Sequence, residues 1–304
     1  MITNYAKVFD TLVKKTADYV QNAGLQAMVL GISGGIDSTV VAAICHEVFV
    51  RTGIPLIGRS LPTKYNKRDE VSTARLVGSA FCNSFNEVPI KGIYDTFQAV
   101  VMTNEGISTP LSRGNIQARL RMIYLYNLAG IMRGLVMDTD NLTENNLGYF
   151  TIHGDVGDFN PIGGLWKTEV FELAEWISRT YWEDNIAWLQ EENFNKNDVR
   201  NLKCKQAIAI TKSLALKPTA GLGITSNDLE ELGAESYDQV DTILQEILAW
   251  KSITLESSHN LKNFLDDQQL LNIPYPIVEA VAKRHFASEF KRKQLPIKIT
   301  RNEL

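Results

Sequence analysis

Cysteine is scarce in this sequence: Cys45, Cys82 and Cys204 are the three among 304 residues, far apart and odd in number. That argues against a disulfide framework and, with no CxxC spacing, against a zinc site. A reducing cytoplasm is the expected setting. No apolar run is long enough to cross a membrane, since the most apolar stretch, Thr39 to Val50, is interrupted by His46 and Glu47. The first ten residues lack the basic-then-apolar order of a signal peptide. Positive charge is not in excess either. A net charge of −4 and a pI near 5.7 disfavour general nucleic-acid binding, and the run Lys291-Arg292-Lys293 reads by itself as a solvated stretch. Internal repeats and low-complexity tracts are absent.

What is present centres on Gly31-Ile32-Ser33-Gly34-Gly35-Ile36-Asp37-Ser38, between a strand-like run, Ala27 to Leu30, and a helix-like one. Adjacent glycines allow a sharp turn and close approach of a ligand, and the turn amides with the following helix N-terminus suit an anion. Ser33 and Ser38 add hydroxyls. Asp37 would repel phosphates unless a divalent cation lay between, so it reads as a magnesium ligand. The ordinary P-loop has a lysine after its glycines, and this loop has none. The Ser-Gly-Gly-x-Asp-Ser pattern instead resembles the pyrophosphate loop of the N-type ATP pyrophosphatases, which cleave ATP between its α and β phosphates to adenylate a substrate.

Periodicity predicts an amphipathic helix within residues 4–23, then strands at Ala27–Leu30 and Ile54–Leu61 around the helix that begins at Ser38. Further on it predicts a helix from Asp69 to Gly78, a strand near Asn86 to Ile90, helices at Tyr94–Met102 and Asn115–Met132, and a strand from Gly134 to Asp138. Such alternation predicts an α/β fold with a doubly wound parallel sheet. Helices dominate after Pro218, with Tyr237–Trp250 and Ile277–Ser288 the clearest. The whole chain, 1–304, is therefore expected to be one domain, with residues 1–23 as a lead-in helix and 218–304 as a mainly helical cap. Ligands of such sheets lie beyond the carboxyl ends of the strands. That rule gathers the glycine loop, Ser60-Leu61-Pro62-Thr63 and Asp138-Thr139-Asp140-Asn141 along one rim.

Two further stretches carry polar groups. The segment from Arg113 to Met122 holds Arg119 and Arg121, two apart and so on different faces; taken alone it reads as a surface helix. In Thr139-Asp140-Asn141-Leu142-Thr143-Glu144, Glu144 is spaced as a helix-capping acid. It is equally placed to be a second metal carboxylate, since magnesium bound to a triphosphate needs only one or two. Asp155 follows on the next loop.

In this order the pieces resemble the ammonia-dependent NAD synthetases. The resemblance runs from the Ser33 loop through Leu61-Pro62, Gly114-Asn115-Ile116-Gln117-Ala118-Arg119, Gly148-Tyr149-Phe150-Thr151, Gly154-Asp155, Asn160-Pro161 and Leu165-x-Lys167. It continues through Pro218-Thr219-Ala220-Gly221-Leu222 to Ser288-Glu289-Phe290-Lys291-Arg292. It implies a Rossmann-like, adenine nucleotide α-hydrolase-like fold and an enzyme that joins ammonia to nicotinic acid adenine dinucleotide. The co-substrate would be ATP, the cofactor Mg2+, and the co-products AMP and pyrophosphate. Gly31, Ser33, Gly34, Gly35, Asp37 and Ser38 would hold pyrophosphate, with Leu61, Thr139, Lys167 and Thr219 also on ATP. Asp37 and Glu144 would bind the metal; Arg119, Asp155, Lys291 and Arg292 would face the dinucleotide. Asp37, Lys167, Asp155 and Thr219 would take part in catalysis, Thr219 from a loop over the phosphates and Asp155 by accepting a proton from ammonium. The resemblance also implies a homodimer with the dinucleotide partly at its interface, and all 304 residues are taken up by the synthetase unit, with no glutaminase domain.

Departures from the pattern fall away from the expected metal site. Ser226, Asp228 and Leu229 stand where the family commonly has Gln and Asp-Glu, and Phe290 stands where it has His. Ile152-His153 replace a basic residue before Gly-Asp, and Ser60, after Arg59, replaces an arginine. These bear on the grip on the dinucleotide. They leave two rival readings: another N-type pyrophosphatase that adenylates a different acid or a tRNA base, or a non-catalytic NAD-pathway sensor.

Overall fold

The computed structural model describes residues 2–183, 199–217, 228–270, 272–292, 297–298 and 301. The first helix, α1 (Tyr5–Asn22), starts where Asn4 accepts the Lys7 amide at 3.0 Å, and it buries Val8, Leu12, Val13, Thr16, Ala17 and Val20 along one face. Next come β1 (Met28–Gly31), α2 (Ile36–Thr52), β2 (Leu56–Ser60), α3 (Arg68–Phe81) and β3 (Ser84–Glu87). They are followed by α4 (Lys91–Glu105), α5 (Pro110–Met132), β4 (Leu135–Val136), α6 (Leu142–Leu147) and β5 (Phe159–Asn160). Thereafter come α7 (Lys167–Glu183), α8 (Val199–Leu214), α9 (Asp228–Leu232), α10 (Tyr237–Ile253), α11 (Leu261–Asp267), α12 (Tyr275–Ala287), α13 (Glu289–Arg292) and β6 (Ile297–Lys298).

Four parallel strands lie in the order β3-β2-β1-β4. A parallel bridge from Met137 to Phe159 leads to β5, which pairs in parallel with β6. From β1 the chain moves outward to β2 and β3, then returns to place β4 on the opposite side of β1. The switch in strand order therefore opens a crevice between the carboxyl ends of β1 and β4.

Alternation along the strands divides the apolar side chains between the two faces. Met28, Leu30, Leu56 and Leu135 join a core with residues of α1, α2, α7 and α8. Ala27, Val29, Ile57 and Val136 join another with Leu125, Leu128 and Ala129 of α5. Because α2 packs beneath the sheet, it is apolar almost all round, with Val40, Val41, Ala42, Ala43 and Ile44 fully buried. A third core unites α10, α11 and α12 with Leu147 at the end of α6 and with Trp166 just before α7.

The doubly wound parallel sheet expected from the sequence is present. Several element boundaries differ from expectation: α4 runs three residues beyond Tyr94–Met102 at each end, α3 ends at Phe81 rather than Gly78, and β2 is shorter than Ile54–Leu61. The third strand lies two to three residues earlier, at Ser84–Glu87, because this half-buried edge strand carries a polar sequence with little periodic signal. The fifth helix starts at Pro110, where Thr109 accepts the Ser112 amide at 3.1 Å and proline occupies the first turn. The hydrogen-bonded part of the fourth strand is only Leu135–Val136. Neither α7 nor α8 is among the elements predicted above, although both pack against α2 and join the core it shares with the sheet.

Candidate active site

The glycine loop links β1 to α2 at the crevice. Gly34 has φ +88°, and a Cβ there would lie 2.4 Å from the Glu70 carbonyl oxygen and 2.9 Å from the Ala74 amide. Glycine is thus required twice, for its backbone angle and for the approach of α3. The two serines lace the turn. Ser33 Oγ lies 2.9 Å from Ser38 Oγ and accepts the Gly35 amide at 3.1 Å, while Ser38 Oγ donates to the Gly35 carbonyl at 3.0 Å. Gly35 is the N-cap of α2 and supplies no side-chain acceptor, which leaves the first-turn amides available to an anion.

Asp37, in that first turn, meets residues more than 100 positions away. Lys167 Nζ donates to Asp37 Oδ2 at 2.6 Å and to Glu144 Oε1 at 3.0 Å. Asn141 Nδ2 donates to Asp37 Oδ1 at 2.8 Å. Lys167 is only 2% exposed; burial opposes its charge, but Asp37 and Glu144 outweigh burial and hold its pKa well above the ordinary lysine value. Glu144 is pushed up to about 7 by burial, with Lys167 opposing and Asp37 reinforcing the shift.

The two readings of Glu144 left open by the sequence meet in one side chain. Its Oε2 accepts the Asn141 amide at 3.2 Å and its own amide donates to Asn141 Oδ1 at 3.0 Å, so it closes a capping box on α6. Its other oxygen faces Lys167. The cap fixes the carboxylate, and Asp37 converges on the same cationic point. The ammonium group of Lys167 thus occupies the kind of position a metal ion would take between two carboxylates, and the donor set fits magnesium bound to a polyphosphate. No group of three or more potential metal-binding side chains occurs among the described residues, so the remaining ligands of such an ion would be phosphate and water oxygens.

A cavity of about 370 Å3 opens at this point. Its walls include the glycine loop, Leu61, Thr139, Asp140, Glu144, Asp155, Lys167 and Lys291. Asp155, exposed on the cavity wall, accepts the Thr151 amide at 2.7 Å; the surrounding protein raises its pKa above the ordinary value, with the Thr151 hydrogen bonds and Arg121 opposing. Lys291 Nζ donates to the carbonyls of Gly148 at 2.8 Å and Phe150 at 2.6 Å.

Two expected dinucleotide residues point elsewhere. Arg292 donates to the carbonyls of Asn146 and His285 at 2.9 and 2.8 Å, capping the end of α6. Arg119 is exposed, with its guanidinium 3.4 Å from the Ile152 carbonyl, and is not on the cavity wall. Thr219 lies outside the described residues.

Arg121, given no role from the sequence, lines the cavity and donates to the Leu61 carbonyl at 3.1 Å and to Asn66 Oδ1 at 3.2 Å. It ties the loop after β2 to α5. Asn141, Asp138 and Asp140 also gain positions that the motif order alone did not assign. Asp138 and Asp140 are 1% and 7% exposed. Burial pushes Asp138 up to about 7, and burial together with Asp138 holds Asp140 well above the carboxylate range. Their place after an apolar strand at the ligand rim was the available signal.

A glycine loop tied to paired carboxylates across the switch point, with an adenylate-sized cavity above it, is the arrangement to compare with known proteins. Residues 8–295 match the NAD synthase family. The chain belongs to that family. Among its relatives, the NH(3)-dependent NAD(+) synthetase of Finegoldia magna is 31% identical, covering 95% of this chain and 97% of that protein. An NMN synthetase structure from Francisella tularensis superposes with a TM-score of 0.70 at 26% identity, over 97% of this chain and 99% of that one. The NH3-dependent NAD synthetase of Campylobacter jejuni, at 23% identity and TM-score 0.64 over 98% and 100% of the chains, shares the fold. No helix among the described residues is long and apolar enough to cross a membrane.

Proposed function

We infer that this protein is a cytoplasmic ligase that amidates nicotinic acid adenine dinucleotide with ammonia, consuming ATP and releasing NAD, AMP and pyrophosphate. Membership of the NAD synthase family and near end-to-end matches to relatives named as NH(3)-dependent NAD(+) synthetases support the reading. Neither rival reading draws support from them. The observation that carries it is the convergence of Asp37 and Glu144 on one cationic point beside the glycine loop.

Loop amides and the hydroxyls of Ser33 and Ser38 hold the pyrophosphate part of ATP, with Gly31, Leu61 and Thr139 along the nucleotide. The substrate carboxylate is already an anion at neutral pH and attacks the α-phosphate without a general base. Repulsion between anions is the obstacle, and Lys167 with the loop amides reduces it as charge builds. Asp37 and Glu144 would hold magnesium, which when bound neutralises phosphate charge. Ammonia then attacks the acyl carbon and AMP leaves. Asp155, on the cavity wall, accepts the proton shed by ammonium, and Lys291 faces the substrate.

A homodimer completes the proposal. On α4, Ile93, Phe97 and Val100 are 58%, 43% and 57% exposed at spacings that share one face, and Leu111, Ile123 and Ile131 of the adjacent α5 are also exposed. The exposed apolar face of α4 is of the kind that marks an interface, and a second copy covers it.

The Francisella likeness favours one second reading, in which the acid amidated is the mononucleotide. Ile152, His153 and Phe290 stand where the family pattern has groups for the larger substrate. The test measures pyrophosphate release with each acid separately. The dinucleotide is expected to give the higher kcat/KM; a higher value for the mononucleotide replaces it as substrate, and no release with either overturns the ligase reading.

A further inference from the structure

Thr143, just before Glu144, and Thr168, just after Lys167, meet at one side chain of the helical cap. Asp241, on α10, is only 2% exposed. Its Oδ1 accepts the Thr143 hydroxyl, and its Oδ2 accepts the Thr168 amide at 3.0 Å and the Thr168 hydroxyl at 2.9 Å. Thr143 Oγ1 in turn accepts the Lys167 amide at 2.8 Å. With Glu169 Oε2 accepting the Trp166 amide at 3.0 Å, three successive amides at the start of α7 are bound by side chains, two of them from α6 and α10. These acceptors satisfy amides that the helix itself cannot, and they fix where α7 begins. One turn earlier on the same face of α10, Tyr237 brings its ring to 5.6 Å from Lys167 Nζ.

A buried carboxylate ringed by donors makes strong, directional bonds. The place of Asp241 is set by packing remote from the chemistry, since its neighbours Val240, Ile243 and Leu244 fill the third core. The Thr143 hydroxyl has a single hydrogen; given to Asp241, it leaves the oxygen free to accept the Lys167 amide. Asp241 therefore joins the residue beside Glu144 to the backbone of Lys167, whose ammonium group meets Glu144 and Asp37 at the cavity. We propose that Asp241 is a positioning residue of the ligase, which through Thr143 and Thr168 sets the separation of Glu144 and Lys167 and so shapes the place offered to magnesium. The proposal rests on the ATP-dependent amidation inferred above and gives the cap a part in ATP activation.

Asp241→Asn sets an NH2 group against either the Thr143 hydroxyl or the Thr168 amide at nearly constant size. Calorimetric titration of magnesium into enzyme saturated with α,β-methylene-ATP, which cannot be cleaved between its α and β phosphates, should give a Kd on the order of tenfold higher than in wild type. At saturating magnesium the kcat for exchange of labelled pyrophosphate into ATP should fall as well, with the KM for the acid unchanged. Circular dichroism fixes a temperature at which each variant is fully folded, since a purely structural role would lower the melting temperature and leave Kd and kcat there as in wild type. Thr143→Val and Thr143→Ser carry the same test if Asp241→Asn does not fold: the first removes the linking hydroxyl and should weaken magnesium binding to the same degree, and the second keeps it and should retain wild-type binding. An unchanged Kd in folded Asp241→Asn or Thr143→Val, or equal weakening in Thr143→Val and Thr143→Ser, overturns the proposal. Exchange by the wild-type enzyme tests the amidation reading separately; its absence would overturn that reading, while the magnesium titrations still decide the place of Asp241.

Discussion

At the scale of single residues, the site depends on Lys167 being placed between two acids that would otherwise repel each other. Glu144→Gln keeps an oxygen able to accept the Asn141 amide, so the cap on α6 survives while the carboxylate proposed to hold magnesium is lost. Turnover should fall roughly 100-fold or more, with a thermal midpoint close to wild type; near-normal activity at limiting magnesium would reduce Glu144 to a capping role. Lys167→Met strips the cation from a buried cluster and leaves Asp37 and Glu144 unpaired. A destabilisation of about 3 kcal/mol is expected, with slower pyrophosphate exchange into ATP. Magnesium should then raise the melting temperature of the variant more than that of wild type, because the ion takes over the lost charge. Equal shifts in differential scanning fluorimetry would remove Lys167 from the metal's position.

At the scale of elements, two helix ends build the site, and each is fixed from behind. The N-terminus of α2 is pressed against α3 through Gly34. Gly34→Ala combines a left-handed backbone angle with a Cβ 2.4 Å from a backbone oxygen, a strain of about 1–3 kcal/mol. Affinity for ATP should drop in calorimetric titration while overall helix content is retained; unaltered affinity would show that the loop does not cradle phosphate. The short helix α6 carries Glu144 at its start, and side chains from α12 and α13 hold its end. His285 Nδ1 and Arg292 both lie within 3.0 Å of the Asn146 carbonyl. Gly148, at φ +64°, allows Ser288 to approach so closely that a Cβ there would lie 2.3 Å from it. Residues far along the chain thereby set the position of the Glu144 carboxylate.

For the whole molecule, acid stability follows from that same junction. His285 is 1% exposed and faces Arg292 and Lys251 as well as the Asn146 carbonyl. Burial, aided by these two cations, lowers its pKa to about 3. The unfolded chain therefore binds a proton at this residue between about pH 6.5 and 3 that the folded chain excludes. Its contribution is fully present above pH 6.5 and is lost as pH falls, by up to about 1.4 kcal/mol per unit. Raised carboxylates such as Asp241, pushed up to about 6 by burial, act in the opposite sense, so the comparison must isolate His285. The stability gap between wild type and His285→Gln in urea unfolding should narrow from pH 7 to pH 5; a constant gap would refute a neutral buried imidazole. Assembly gives the other prediction at this scale. Phe97→Glu places a charge on the exposed face of α4, and sedimentation should show a dimeric wild type and a mainly monomeric variant, whereas identical sedimentation would move the interface elsewhere.

Local chemistry alone determined the strand, glycine loop and helix at Gly31–Ser38, because a turn, an anion site and a helix start need particular residues in immediate succession. The order of motifs likewise determined family and parallel-sheet class, since hydrophobic periodicity and turn residues act over short distances. Asp37, Glu144 and Lys167 could each be named from the sequence. That they share one point was decided by the sheet order, which sets β4 beside β1 across 100 residues of chain. The edge strand β3 was misplaced in register because its side chains are only half-buried and carry little alternation. Arg292, with Phe290 beside it in the motif, gave no sign that its guanidinium would close α6, and Asp140 gave none that an oxygen would be left without a partner. Such facts depend on which groups meet after folding, and the energies that decide them, burial and charge pairing, exist only once distant segments have excluded water from between them.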